Sequence, residues 1–401
     1  MQAQPPPSKL RVWIENAPVG NLEGPDPYVF AYRPDLAASL SVSLTMPVRL
    51  QSWTDHRVLH PIFQMNLPEG AMLIAIRQAI AKIARTDDLS LLQILGGYQT
   101  GRNRFTSADQ KPPQPAATPE ALDDILKYPD TEELFHDLMG RYLLQSGISG
   151  VQPKVMIDAR ERATLRSSSY IVKSWGGDYP HLAANEYFCM TAVKRSGLPT
   201  PEFYLSEDGR LFVMKRFDLT EEGRNLGFED MCVLQGTGAD GKYDSTCERV
   251  VKSINSYVSP QHRGVAREIF FQSLLFSVAL RNGDGHLKNY GVIYDDPMGN
   301  DVRLAPIYDV VTTTAYIPRD SPALSLGGSK KWWSGAALRA FGVSHCGLSQ
   351  GKIGRIFDAV TAAVMETRVD VRRYADEHPW FRDTAARMEV EWEKGLETLR
   401  K

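Results

Sequence analysis

Residues 267–290 constrain the fold of this chain more than any other stretch. Residues 267–280 are apolar on almost every face, which predicts a helix buried on all sides rather than one lying on the surface. That helix runs directly into Arg-Asn-Gly-Asp-Gly-His-Leu-Lys-Asn-Tyr at 281–290. Two β-favouring runs follow, 290–294 and 302–308, joined by the turn-rich 295–301, and they predict a strand pair. The second run ends in Ile307-Tyr308-Asp309, which places an Asp at the end of a predicted buried strand.

Asp284 and Asn289 stand five residues apart. In a protein-kinase catalytic loop, that spacing carries an Asp that positions an acceptor hydroxyl and an Asn that holds a metal. Spacing alone decides little, since a chain of this size holds on the order of one such pair by chance. The context adds weight. Asp309 supplies the second carboxylate that Mg²⁺ needs, because this cation takes oxygen ligands and completes its shell with water and substrate phosphates. Taken singly, Asp284 also reads as a turn residue between Gly283 and Gly285, and Asp309 as a helix N-cap. His286 and Lys288 are counted with the catalytic set. No ligand set surrounds His286, so its role is structural or phosphate-facing.

Upstream, Ser-Gly-Ile-Ser-Gly-Val-Gln-Pro-Lys at 146–154 offers backbone amides and hydroxyls suited to phosphate oxygens, or else is an ordinary flexible loop. Lys173 closes the strand-like Tyr-Ile-Val-Lys, where an inward amine can neutralise phosphates and an outward one simply meets solvent. Glu186, in the helix that follows, can pair with Lys173 or stand as a surface carboxylate. Met-Lys-Arg-Phe-Asp at 214–218 then reads as the link between two lobes and the wall of an adenine pocket. Glycine loop, strand Lys, helix Glu, lobe link, Asp…Asn and a final Asp is the order a kinase requires. Two glycine runs are set aside. Gly236–Gly241 fits G-x-G-x-x-G but lies downstream of the lysine with no clear helix after it. Residues 96–101 are followed by Arg-Asn rather than Lys-Ser/Thr, so they are not a Walker A loop.

Along the rest of the chain, residues 9–58 read as strands (10–14, 28–32, 40–44) with a turn cluster at 21–27. Residues 71–84 have helical spacing, and the Pro-, Ala- and Gln-rich 107–119 reads as a linker. Two helices are predicted within 121–144, strands at 154–158 and 168–174, and a helix at 181–196 ended by Gly197 and Pro199. Short strands follow at 203–206 and 211–215, and the chain is mostly helical from 244 onward. A net charge of −2 argues against a surface that is one large nucleic-acid footprint. Four scattered cysteines without a C-x-x-C give no zinc site or disulfide framework. No signal peptide opens the sequence and no apolar run reaches bilayer length, so a cytoplasmic protein without membrane contact is expected.

Several of these segments together resemble the HipA serine/threonine kinases, the toxins of HipBA-type toxin–antitoxin systems. They are Ser-Gly-Val-Gln-Pro-Lys (149–154), Ala-Asn-Glu-Tyr (184–187), Lys-Arg-Phe-Asp (215–218), Asp-Gly-His-Leu-Lys-Asn (284–289) and Leu-Ala-Pro-Ile-Tyr-Asp (304–309). Phe-Gln-Met-Asn-Leu-Pro-Glu-Gly at 63–70 is similar to that family's first subdomain. The resemblance implies an α+β, two-lobed, protein-kinase-like fold with an N-terminal β-rich subdomain and a mostly helical C-terminal lobe. The divisions expected are 1–106, a linker at 107–120, a nucleotide-binding lobe at 121–218 and a helical lobe at 219–401.

By the same resemblance, Asp284 is the catalytic Asp, Asn289 and Asp309 hold Mg²⁺, and Lys173 contacts the ATP phosphates. Ser149, Gly150, Val151, Gln152 and Lys154 cover the nucleotide, Glu186 supports Lys173, and Lys215, Phe217 and Asp218 line the adenine and ribose site. Implied partners are a small helix-turn-helix antitoxin, operator DNA through that complex, and a protein substrate that in this family includes aminoacyl-tRNA synthetases. Many members carry an inhibitory autophosphorylated serine three residues before the loop glycine, where this chain has Gly147. That leaves Ser149, Ser146 or no residue as the self-modified position. A kinase-fold corepressor without catalysis, and a small-molecule or lipid phosphotransferase, remain open alternatives.

Overall fold

The computed structural model describes residues 9–55, 58–80, 87–108, 110–113, 119–148, 152–161, 167–175 and 177–401. Three sheets and a block of helices make up the described chain. The first sheet holds β1 (Lys9–Ile14), β2 (Ala17–Glu23), β3 (Tyr28–Tyr32), β4 (Trp53–Asp55) and β5 (Asn103–Thr106), all antiparallel, in the order β4-β3-β2-β1-β5. Strand alternation turns Leu10, Val12 and Ile14 to one face, where Phe30, Phe63, Leu92 and Phe105 complete a core. Phe63 meets Phe105 edge-on at 5.7 Å. Leu143 and Val233 belong to the same core, so the N-terminal unit is packed onto the rest of the chain.

The second sheet holds β6 (Glu120–Ala121), β7 (Lys154–Arg160), β8 (Ser167–Lys173), β9 (Phe203–Leu205) and β10 (Phe212–Lys215), ordered β6-β7-β8-β10-β9. Its two faces bury different partners, as the period of two requires. Val155, Ile157, Tyr170, Val172 and Val213 pack against the Thr131–Tyr142 helix. Met156, Ile171, Phe212 and Met214 face the Leu182–Arg195 helix and join the main core. Lys154 and Lys173 are cross-strand partners on that second face, which is how two amines come to lie side by side.

A third sheet, β11 (Gly227–Asp230), β12 (Gly291–Tyr294) and β13 (Arg303–Leu304), lies among the C-terminal helices. The Arg263–Ala279 helix is buried continuously from Phe270 to Ala279, as its all-round apolar pattern predicts. Two polar residues of that buried stretch are satisfied: Gln272 donates to Ser196 Oγ at 2.9 Å and Ser273 to the Phe270 carbonyl at 2.7 Å. The long Gln350–Glu377 and Arg382–Arg400 helices pack around it.

Several local expectations need correction. Residues 40–44 form no strand. A 3₁₀ turn at Ala38–Leu40 leads into a bridge between Ser43 and Met46, and the Ser43 hydroxyl and Leu44 amide donate to the Glu229 carboxylate at 2.6 and 2.8 Å. The amide is thus spent on a side chain instead of a neighbouring strand. The turn expected over 21–27 is shorter, because β2 continues to Glu23. Of 302–308, only Arg303 and Leu304 pair with β12. Pro306 offers no donor, and the Ile307 amide goes to the Pro199 carbonyl at 2.8 Å. Asp309 therefore stands in a loop at φ +62° rather than at a strand end. β11 was not foreseen, since Gly-Phe-Glu-Asp shows no apolar alternation. Among the described residues, no helix is long and apolar enough to cross a membrane.

Candidate active site

A cleft of about 790 Å³ opens between the second sheet and the helical block, in the size range of a small-molecule site. The end of β8 carries Lys173 into it. The Lys173 ammonium, 3% exposed, lies 2.6 Å from Glu186 Oε1 and 2.7 Å from Asp309 Oδ1. Burial alone would lower this amine, but Asp309 and Glu186 outweigh it and hold Lys173 above its ordinary range. For Asp309 too, burial opposes the charge, and Lys173 with Lys154 holds the carboxyl well below the usual carboxylate range. Glu186 is fully buried, and burial pushes it up to about 7 despite Lys173. Its second oxygen has no hydrogen-bond partner. Lys173 thus stands between the two carboxylates at nearly equal distances, and Lys154 lowers both. Burial, then Lys173, lowers Lys154 to about 8.

Asn289 bridges the loop to this network. Its amide nitrogen donates to Asp309 Oδ2 at 3.1 Å, and its carbonyl accepts from the His286 amide at 3.0 Å. Asp284 stands at the open floor of the same cleft, reached by solvent but walled by protein. That enclosure pushes its carboxyl up to about 6, with Asp309 adding to the rise and a 2.8 Å hydrogen bond from the Tyr243 hydroxyl opposing it. Gly283 is required beside it, since a Cβ there would come 2.1 Å from the Asp320 carboxylate. The Gly283 amide donates to Thr313 Oγ1 at 2.8 Å, and Thr313 in turn donates to Asp320. His286 is buried and lowered to about 4 by burial and then Lys242, so it is neutral. Its Nδ1 has no hydrogen-bond partner, and its ring meets Tyr243 edge-on at 5.1 Å.

The structure thus brings Lys154, Lys173, Glu186, Asp284, His286, Lys288, Asn289 and Asp309 to one cleft region, all but Glu186 on its lining. Gln152 lines the cleft and donates to the Ser174 carbonyl at 2.8 Å. Ser149, Gly150 and Val151 lie outside the described residues. Ser146 is fully buried. Its hydroxyl donates to the Tyr142 carbonyl at 2.7 Å and accepts from the Met156 amide at 2.8 Å. Phe217 stacks on Tyr308 with centroids 5.2 Å apart, and both form an aromatic wall. Asp218 also lines the cleft, held by Arg216 at 2.6 Å and the Gly101 amide at 2.6 Å.

Lys215 is corrected. Alternation along β10 sends Met214 to the cleft and Lys215 to the opposite face, where its ammonium pairs with Glu161 at 2.9 Å and Glu202 at 3.5 Å. The 236–241 segment is a loop, as expected, ending in a 3₁₀ turn at Ala239–Gly241. Lys242, which follows it, and Tyr243 both line the cleft, and sequence reading did not find them. Glu69 was quoted only within a resembling segment, yet it too lines the cleft.

Residues 146–368 match the HipA-like C-terminal domain, and residues 10–106 match the HipA N-terminal domain. The chain belongs to the HipA family. A Sinorhizobium fredii protein named "Putative kinase Y4mE" is 27% identical over 346 residues, covering 80% of this chain and 81% of its own. A Haemophilus influenzae protein named "Putative kinase" is 30% identical over 186 residues, 42% of this chain and 53% of its own. Among solved structures, HipA of Shewanella oneidensis MR-1, in complex with HipB and operator DNA, superposes with a TM-score of 0.66. The match is 18% identical and covers 98% of both chains, so it shows that the HipA fold is shared from end to end.

Proposed function

We propose that this HipA-family chain is an ATP-dependent serine/threonine protein kinase acting as the toxin of a toxin–antitoxin pair. The observation that carries the reading is the run Glu186–Lys173–Asp309–Asn289, linked by contacts of 2.6, 2.7 and 3.1 Å, with Asp284 on the same cleft. The names of the curated relatives agree with its kinase part.

The donors fit magnesium nucleotide. Asp309 is held charged, and Asn289, whose amide nitrogen now donates to Asp309 and whose oxygen accepts from the His286 amide, would turn its oxygen to the cation; carboxylate and amide oxygens are hard donors of the kind Mg²⁺ takes. Among the described residues no group of three or more His, Cys, Asp or Glu is placed to hold a metal, so phosphate oxygens and water would complete the shell. Bound there, ATP would supply the transferable γ-phosphoryl and Mg²⁺ would offset the charge on its phosphates. Lys173 and Lys154 face those phosphates with two cations, and Phe217 and Tyr308 offer an apolar wall to the base. Asp284 would orient the acceptor hydroxyl and take its proton as the new oxygen–phosphorus bond forms and the bond to the departing ADP breaks. Ser149 is the remaining serine on the loop for self-phosphorylation, because Ser146 is enclosed.

The test is incubation of the purified chain with Mg²⁺ and γ-labelled ATP, alone and with a cytoplasmic extract, beside Asp284→Asn. Label entering a protein only with the wild type supports the reading. Equal labelling by both, or no ATP binding by either, sinks it. On the partner side, we propose a small helix-turn-helix antitoxin that carries the chain to operator DNA, by analogy with the Shewanella complex, and a cytoplasmic protein substrate such as an aminoacyl-tRNA synthetase. Co-purification with a neighbouring small DNA-binding protein, and mapping of the labelled substrate, check these two proposals.

A further inference from the structure

The cleft contains a carboxylate from the N-terminal unit. Glu69 immediately precedes the Gly70–Ile80 helix, yet its Oε1 lies 2.6 Å from the Lys288 ammonium and its Oε2 lies 2.7 Å from the Lys242 ammonium. Both lysine side chains are nearly buried, 7% and 10% exposed. Lys288 adjoins one member of the Asp284–Asn289 pair, and Lys242 reaches the other through one residue. Lys288 precedes Asn289. Lys242 precedes Tyr243, whose hydroxyl holds Asp284 at 2.8 Å, and the Lys242 carbonyl accepts from the Leu287 amide at 3.1 Å. The approach of the N-terminal unit is close here. The Met65 carbonyl is 3.3 Å from the Lys288 ammonium, and a Cβ at Gly238 would come 2.7 Å from Gln64 Oε1.

We infer that Glu69 is a positioning residue for phosphoryl transfer, tying the Asp284–Asn289 loop to the N-terminal unit through Lys242 and Lys288. Without its charge, two ammonium groups that now share one carboxylate would repel each other in a poorly hydrated place. Each pulls on a neighbour of the reacting pair. Lys173 and Lys154, the two amines that face the phosphates, lie on β8 and β7 rather than on this loop, and only Tyr308 of the aromatic wall touches it, donating to the Lys288 carbonyl at 2.7 Å. The loss is therefore expected in turnover rather than in nucleotide binding. The inference rests on the kinase reading for its kinetic arm, and a second arm reads the loop directly.

The experiment compares full-length wild type, Glu69→Gln and Glu69→Asp. Steady-state transfer gives kcat, binding of a non-hydrolysable ATP analogue gives affinity, and amide hydrogen exchange follows residues 283–290. In Glu69→Gln, kcat should fall by on the order of 10-fold or more while analogue affinity stays within about threefold. Amide exchange across 283–290 should quicken, and Glu69→Asp should recover part of each effect. Unchanged kcat and unchanged exchange would overturn the inference, as would equal losses of kcat and affinity together with a lowered Tm, the mark of a structural brace alone. If the wild type transfers no phosphoryl group, the kinase reading fails by itself. The exchange arm still decides whether Glu69 holds the loop, and unchanged protection in Glu69→Gln would then overturn it.

Discussion

Asp284 and Lys173 are both ionisable side chains in one cleft, and their surroundings drive them in opposite senses for catalysis. Lys173 is fixed as a cation by two carboxylates. Asp284 is pushed up to about 6, so its charge state changes within an accessible pH range. A protonated Asp284 cannot take the acceptor proton, so transfer should decline about tenfold per pH unit below pH 6 and level off above it. The Tyr243 hydroxyl donates to the charged form and holds the carboxyl lower than it would otherwise be. Tyr243→Phe should therefore move the acid limb to higher pH, a change read from a pH–rate profile of both proteins. An unmoved limb would mean that Asp284 is not the group whose ionisation controls the rate. Lys173→Met removes the cation that Asp309 and Glu186 share and leaves the buried Glu186 carboxylate beside the partly exposed Asp309 one with no shared counter-charge. Transfer should fall by roughly 10²-fold or more, with nucleotide affinity falling as well, measured by analogue binding.

At the scale of elements, alternation along β7, β8 and β10 decides which side chains reach the cleft. Lys154, Lys173 and Met214 fall on one face, while Lys215 falls on the other with Val213. Lys215→Met should thus leave ATP-analogue affinity within about twofold of wild type, because only Glu161 and Glu202 lose a partner at a half-exposed site. A large loss of affinity would place Lys215 back on the nucleotide. This strand also marks how far the sequence could be read. The order of Lys173, Glu186, Asp284, Asn289 and Asp309 was legible, because each lies in a short motif whose chemistry is local. The phase of a four-residue strand flanked by Arg and Phe was not, since both phases bury something. The strand expected at 302–308 failed for a different reason. Its apolar residues are buried by packing, but Pro306 breaks the ladder. Glu69 and Lys242 were illegible because their meaning is a long-range contact. Glu69 lies 173 residues from Lys242 and 219 from Lys288.

Over the whole molecule, the N-terminal unit is held to the rest by more than apolar packing. Glu229 is fully buried, and its carboxylate accepts from the Ser43 hydroxyl at 2.6 Å, the Leu44 amide at 2.8 Å and the Tyr294 hydroxyl at 2.6 Å. Two of those three donors come from the first sheet's unit. Asp218 depends on that unit in the same way, accepting from the Gly101 amide. Leu143 and Val233 close the apolar core from the other side. Cutting the chain after residue 106 would therefore strip a buried Glu229 of two donors and expose the core face of Val233, while also removing Glu69 from Lys242 and Lys288. A buried carboxylate that loses its donors costs about 1–3 kcal/mol or more, and the opened core adds to this. The fragment 107–401 should accordingly fail to give a cooperative thermal transition and should bind a hydrophobic dye, whereas the full chain melts cooperatively. A fragment that melts sharply and binds MgATP would show that the helical block and the second sheet fold alone. The N-terminal unit would then act on an already folded cleft, through Glu69 and through Met65, Asn66 and Thr100 on its lining.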